Sequence, residues 1–166
     1  MSNTQSLILV GMPGAGKSTL GVLLAKETAR DFVDTDVLIQ VREERTLQEI
    51  MEASDYLNLR RVEEEVLLGV DLTHHVIATG GSAVYSELGM SKLKTLGPVI
   101  FLDVSLDELR RRIHNYESRG IARRPEQSFE ALFKERNALY RRWADIVIDC
   151  NGKPQEVIIE ELLARL

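Results

Sequence analysis

Residues 7–18, four apolar side chains followed by Gly-Met-Pro-Gly-Ala-Gly-Lys-Ser, constrain the fold of this chain more than any other stretch. Four residues separate Gly11 from Gly16-Lys17-Ser18, and residues 19–29 carry Leu20, Leu23 and Leu24 at helical spacing. Strand, glycine loop and helix in that order form a phosphate-binding loop. Its glycines let backbone N–H groups turn inward on phosphate oxygens, and the helix N-terminus adds a partial positive charge. Lys17 is expected to reach the outer phosphates of a nucleoside triphosphate and Ser18 to ligate Mg²⁺. Gly11, Gly14, Ala15, Gly16 and Thr19 complete the expected nucleotide contact.

The rest of the chain repeats this alternation. Short apolar runs recur at 76–78, 99–102 and 146–148, with a weaker one at 32–33, each followed by a turn signal and a helix-like segment. Runs so short and so uniformly apolar suit strands buried on both faces, so the expectation is an α/β fold with a five-stranded parallel sheet flanked by helices. Ser105 with Glu108 reads as a capping box before the segment Leu109–Ile113, Ser128 as the cap of a helix running to Ala144, and Pro154 as part of a first helical turn. No repeat or Pro/Ser-rich linker divides the 166 residues, which read as one domain. Within it, about 36–69 is expected to form a helical acceptor-binding region. The polar stretch of about 116–127, with Gly120 and Pro125, is expected to be a mobile lid.

Charge and composition remove several classes. Residues 110–142 hold nine arginines and Lys134 against four glutamates, a local +6, which leaves −11 for the remainder of a chain whose net charge is −5. An acidic protein with one concentrated basic segment is a poor partner for nucleic acid or anionic membrane and a reasonable clamp for a small polyanion. No apolar run approaches the ~18–20 residues of a membrane span, and Met1 to Ser6 lacks the pattern of a signal peptide, so a cytoplasmic protein is expected. A monomer is expected as well. The single Cys150 ends an apolar run and reads as packing. His74 and His75 have no metal-ligand spacing. A guanine-reading Asn-Lys-x-Asp segment is missing, and a motor ATPase is usually larger, so a small-molecule kinase is the leading class.

On the acceptor side, Asp34-Thr35-Asp36 follows Phe32-Val33, which puts two carboxylates at the end of a strand, where open α/β sheets bind ligands. One is able to organise Mg²⁺ through water while the other accepts a hydrogen bond or proton from an alcohol. Thr79-Gly80-Gly81-Ser82 follows another buried run, and consecutive glycines bring backbone N–H groups close to a ligand. Leu59-Arg60-Arg61-Val62-Glu63 lies in a helical stretch, and Glu135-Arg136 with Leu139-Tyr140 in another.

Taken together, these segments resemble the shikimate kinase family, within the nucleoside monophosphate kinase-like group of phosphate-loop enzymes. The resemblance covers residues 7 to about 154 in matching order. It implies ATP-dependent, Mg²⁺-dependent phosphorylation of a small hydroxylated carboxylic acid, shikimate to shikimate 3-phosphate. By the same resemblance Asp36 holds the acceptor hydroxyls and is the candidate base, and Asp34 belongs to the Mg²⁺ network. Arg60 and Arg136 bind the acceptor carboxylate, Glu63 orients Arg60, and Gly80, Gly81 and Ser82 line the acceptor pocket. Arg112 and Pro154 sandwich adenine, and Arg119 is the lid arginine that meets the transferring phosphate.

Two departures stand out. The family usually has a third glycine where this chain has Ser82, and Pro-Leu-Leu after the lid arginine where this chain has Gly120-Ile121-Ala122. Both bear on the acceptor, so a kinase of another hydroxy acid or a sugar acid such as gluconate stays open, as does a nucleotide-binding regulatory module without acceptor chemistry.

Overall fold

The computed structural model describes residues 4–113, Arg123 and 126–166. β1 (Leu7–Val10) is buried at all four positions because it has a strand on each side and helices on both faces. It runs parallel to β3 (His75–Ala78) and β4 (Val99–Asp103), with Ile8 beside Ile77 and Val99. β2 (Asp31–Asp34) adds to β3 and β5 (Ile146–Asp149) to β4, giving the all-parallel order β2-β3-β1-β4-β5. The chain leaves β1 toward one edge and β4 toward the other. That reversal opens a crevice at the carboxyl ends of the central strands.

Helices cover the sheet. α1 (Lys17–Thr28) packs on β2, β3 and α8 (Gln155–Arg165), and α4 (Tyr56–Leu68) packs on α5 (Glu87–Lys94). Together with α2 (Thr35–Glu43) and α3 (Leu47–Ala53), α4 also closes a second, smaller core of Ile39, Ile50, Leu59 and Val62. α3 is anchored by a reciprocal capping box, in which Glu49 N donates to Thr46 Oγ1 (3.2 Å) and Thr46 N to Glu49 Oε2 (2.8 Å). None of the described helices is long and apolar enough to cross a membrane.

Several local expectations change. β2 stops at Asp34, whose carboxylate accepts the Asp36 amide at 2.8 Å and thereby starts α2, so Asp36 lies in a helical first turn rather than on a strand. The capping box at Ser105 is only half made. Glu108 N reaches Ser105 Oγ (3.3 Å), but the Glu108 carboxylate turns to Arg111 and Arg112, and Ser105 N donates to Asn151 instead. α6 accordingly runs Leu106–Arg112. α7 (Phe129–Trp143) begins at Ser128 as expected, with Ala131 N on its hydroxyl at 3.0 Å. Pro154 precedes α8 as its N-cap. Cys150 is buried and burial pushes its thiol up to about 11, which leaves it as packing. Most of the expected lid, 116–122 and 124–125, falls outside the described residues.

The strand that carries the glycine loop is held at its entrance by Ser6 N on Leu96 O (2.9 Å) and Ile8 N on Pro98 O (3.0 Å). Between those contacts the backbone carbonyl of Ser6 lies where a side chain on Gly97 would be. Backbone cannot give way as a flexible side chain does, so Gly97→Ala is expected to destabilise the fold by about 2 kcal/mol. For a chain of this length that is a fall of roughly 4–8 °C in Tm. Thermal unfolding followed by circular dichroism checks it, and an unchanged Tm contradicts the packing described.

Candidate active site

The glycine loop has the backbone its sequence demands. Gly16, the residue before α1, sits at φ +95°, a left-handed conformation that costs a side-chain-bearing residue about 1–2 kcal/mol. Lys17 Nζ folds back over the loop and donates to the carbonyls of Gly11 (2.5 Å) and Met12 (3.0 Å). Ser18 and Thr19 stand exposed in the first turn of α1, and Ser18 Oγ donates to Asp34 Oδ2 at 2.6 Å. A hydroxyl and a single carboxylate are the sparse oxygen donors Mg²⁺ takes from protein when nucleotide phosphates and water complete its shell. Among the described residues no cluster of three or more His, Cys, Asp or Glu forms a cage for a metal. The Ser18–Asp34 pair therefore fits Mg²⁺ beside a nucleotide.

Across the crevice the chain turns at Thr79–Ser82. Thr79 N and Oγ1 both donate to Leu9 O (3.1 and 2.8 Å), and Gly80 N donates to Thr35 Oγ1 (3.1 Å), which ties the turn to β1 and α2. A Cβ on Gly80 would collide with Asp36 Oδ1 and Glu63 Oε2, and one on Gly81 would lie 2.6 Å from Arg136 Nη1. The two glycines thus make room for two carboxylates and a guanidinium pressed against the backbone. Tyr140 fixes the turn from the far side by donating to Gly81 O at 2.6 Å, while its ring packs on Phe101.

Glu63 is 2% exposed and accepts the Ser82 hydroxyl at 2.5 Å. Burial first, and then the neighbouring Asp36 charge, raise its pKa to about 7 against the opposing pull of Ser82, Arg136 and Lys17. The family resemblance implied that Glu63 orients Arg60. The structure does not bring these two together. A separation of three residues on a helix permits contact without compelling it. Glu63 turns inward to Ser82, whereas the Arg60 guanidinium lies over the ring of Tyr85 at 3.5 Å and near that of Tyr56 at 5.0 Å. Arg136 is 1% exposed.

A cleft of about 380 Å³ unites both halves, within the usual range for small-molecule sites. Of the expected residues, Gly14, Gly16, Lys17, Ser18 and Thr19 line it from the phosphate loop and the start of α1, and Asp34, Asp36, Gly81, Ser82 and Arg136 line it from the other elements. Arg112 joins them, with Nη1 on Gly14 O at 3.2 Å. Gly11, Ala15 and Gly80 support the walls without lining them, Arg60 stands beside the cleft, and Pro154 is not among its described lining residues. Arg119 lies outside the described residues. Sequence reasoning missed Tyr85, Tyr56 and the Ser82–Glu63 contact. Tyr85 and the Ser82–Glu63 contact depend on meetings between distant segments for which no local spacing exists, whereas Tyr56 lies four residues before Arg60 on α4, a helical spacing that carries the signal.

A phosphate-binding loop facing a pocket of acidic and guanidinium groups defines a phosphate-loop phosphotransferase of the small kinase type. Comparison with known proteins narrows this further. The family model described as shikimate kinase matches residues 13–166, so the chain belongs to the shikimate kinase family. It is similar to shikimate kinase of Mycobacterium avium, 36% identical over 163 residues that cover 96% of this chain and 92% of the relative. Among solved structures, shikimate kinase from Acinetobacter baumannii in complex with shikimate matches with a TM-score of 0.86 at 29% identity, covering 98% of this chain and 92% of that one. Thymidylate kinase from Candida albicans, at 14% identity and TM-score 0.61 over 98% of this chain and 90% of that one, shares the fold alone.

The buried acid has a measurable consequence. With a folded pKa near 7 against an ordinary value of 4.5, Glu63 holds its proton in the native state where the unfolded chain has lost it. The native state then binds more protons between those values, so this group's contribution to stability falls as pH rises from 4.5 through about 7. Glu63→Gln removes that loss. Its Tm relative to the unsubstituted chain is expected to rise between about pH 5 and pH 8. A Tm difference that stays constant or moves the other way contradicts the assigned charge state.

Proposed function

We propose that this chain transfers the γ-phosphoryl group of ATP to the 3-hydroxyl of shikimate with Mg²⁺. The observation that supports this most directly is the placement of Lys17, Asp36 and Arg136 in one cleft, with the phosphate loop on one wall and the acceptor residues on the other. ATP lies along Gly11, Gly14, Ala15, Gly16 and Thr19, with its adenine toward Arg112 and Pro154. Lys17 exchanges its contacts with the Gly11 and Met12 carbonyls for phosphate oxygens. Ser18 and Asp34 hold Mg²⁺, which when bound neutralises the β- and γ-phosphate oxygens. Arg119, by family likeness, adds positive charge from the lid.

On the acceptor side, Asp36 orients the attacking hydroxyl, and Arg136 with Arg60 holds the carboxylate. Phosphoryl transfer passes through a largely dissociative transition state in most analyses, so alignment by Asp36 matters more than prior removal of the proton. The Ser82 hydroxyl is already given to Glu63, so Ser82 adds bulk to the pocket wall rather than a donor aimed at the acceptor. The shikimate reading therefore tolerates this departure. Helices α2 to α4 form the acceptor-binding region of one kinase domain. The reaction needs one copy of the chain and neither nucleic acid nor membrane, in keeping with a cytoplasmic monomer.

A planar fork of N–H donors matches the two oxygens of a carboxylate, and the compact ammonium of lysine does not reproduce it. Shikimate is therefore expected to be phosphorylated with kcat/KM far above its carboxamide. Arg60→Lys and Arg136→Lys should each weaken use of the acid by roughly tenfold to a hundredfold, the value of a charge-assisted contact, and leave the KM for ATP nearly unchanged. Steady-state kinetics with acid and amide decide the point. Equal use of both substrates, or an unaffected lysine variant, removes the carboxylate clamp from the proposal.

A further inference from the structure

Tyr85 closes the 3₁₀ turn Ala83–Tyr85 that follows Ser82 and stands half-buried between α4 and α7. The Arg60 guanidinium carbon lies 3.5 Å from the centre of its ring, and that of Arg136 lies 5.6 Å from the same ring. Arg60 makes no hydrogen bond or ion pair with any described residue, and its buried Nε has no partner among them. Its place is thus set by aromatic faces, Tyr85 closely and Tyr56 at 5.0 Å. A guanidinium held by its face keeps its N–H donors, which all lie in its plane, available for a ligand.

The same ring answers an electrostatic problem. Two guanidinium groups share one corner, Arg136 buried and Arg60 half-buried, and burial first, together with the Arg136 charge, holds the Arg60 pKa below its ordinary value. The negative face of an aromatic ring offsets part of that repulsion without consuming a donor, as a carboxylate partner would. Burial also raises the phenol pKa of Tyr85, so the ring stays neutral.

We propose that Tyr85 is a positioning residue of the acceptor site, whose ring face holds Arg60 beside Arg136 with its N–H edge open to the acceptor carboxylate. This rests on the shikimate reading above and deepens it. Tyr85→Leu should raise the KM for shikimate roughly fivefold to thirtyfold and leave the KM for ATP within about twofold, while Tyr85→Phe, which keeps the ring, stays within about threefold of the unsubstituted chain. In an Arg60→Met background, Tyr85→Leu should cost less than about twofold more, because its effect runs through Arg60. Tighter or unchanged shikimate use in Tyr85→Leu, an equal shift in both KM values, or full additivity with Arg60→Met overturns the proposal. Tyr85→Met carries the same test if the leucine variant does not fold. If the unsubstituted chain fails to phosphorylate shikimate, the functional reading falls by itself. The positioning claim is then decided by the Arg60 Nε–H resonance in NMR spectra of the free protein. Its loss in Tyr85→Leu with retention in Tyr85→Phe supports the claim, and its persistence in both overturns it.

Discussion

The half of the cleft across from the phosphate loop depends on the bare backbone of Gly80 and Gly81. Asp36 comes from the first turn of α2, Glu63 from α4 and Arg136 from α7, and all three side chains converge on a turn that has no Cβ to keep them apart. The turn is itself locked, to Thr35 by Gly80 N and to Tyr140 by Gly81 O. A buried acid, a buried guanidinium and the partly exposed Asp36 are thereby held close together, where charge interactions are stronger than in water and unpaired groups are costly. Burial first, and then the Asp36 charge, make Glu63 keep its proton to higher pH.

The basic segment shows how one composition serves two purposes. Arg110, Arg111, Arg112, Arg141 and Arg142 form ion pairs with acidic groups on the exposed surface, contacts that add little to stability. Arg136 alone of the described arginines in this stretch is buried, against the acceptor turn, and Arg112 reaches both its glutamate and the phosphate loop. Charge density along the chain marks where the cations are. Burial separates those that face a ligand from those that solvate a helix.

What was legible in the sequence follows from the range of each interaction. The phosphate loop and the buried central strands are local patterns, and residues 7–18 were readable because strand, loop and helix there are consecutive. Asp34 stands at the end of β2 as expected, but Asp36 does not share that strand, because the Asp34 side chain caps α2 and puts Asp36 in its first turn. Family likeness located Arg60, Arg136 and the glycine pair. It could not supply the partner of Glu63, since Ser82 departs from the family at that position and is 19 residues away along the chain. Tyr85 left no sequence signal, as stacking on Arg60 requires the turn after β3 to meet α4.

The central claim is that phosphate loop and acceptor turn work on one molecule of ATP and one of shikimate. Phosphorus NMR of the purified chain with ATP, Mg²⁺ and shikimate tests this most directly. The account predicts a phosphomonoester on the 3-oxygen that appears one for one with ADP, and a rate at least about a hundredfold lower for Lys17→Ala with an unchanged circular dichroism spectrum. ADP release that is independent of shikimate, or a phosphoester formed from gluconate and not from shikimate, would contradict it.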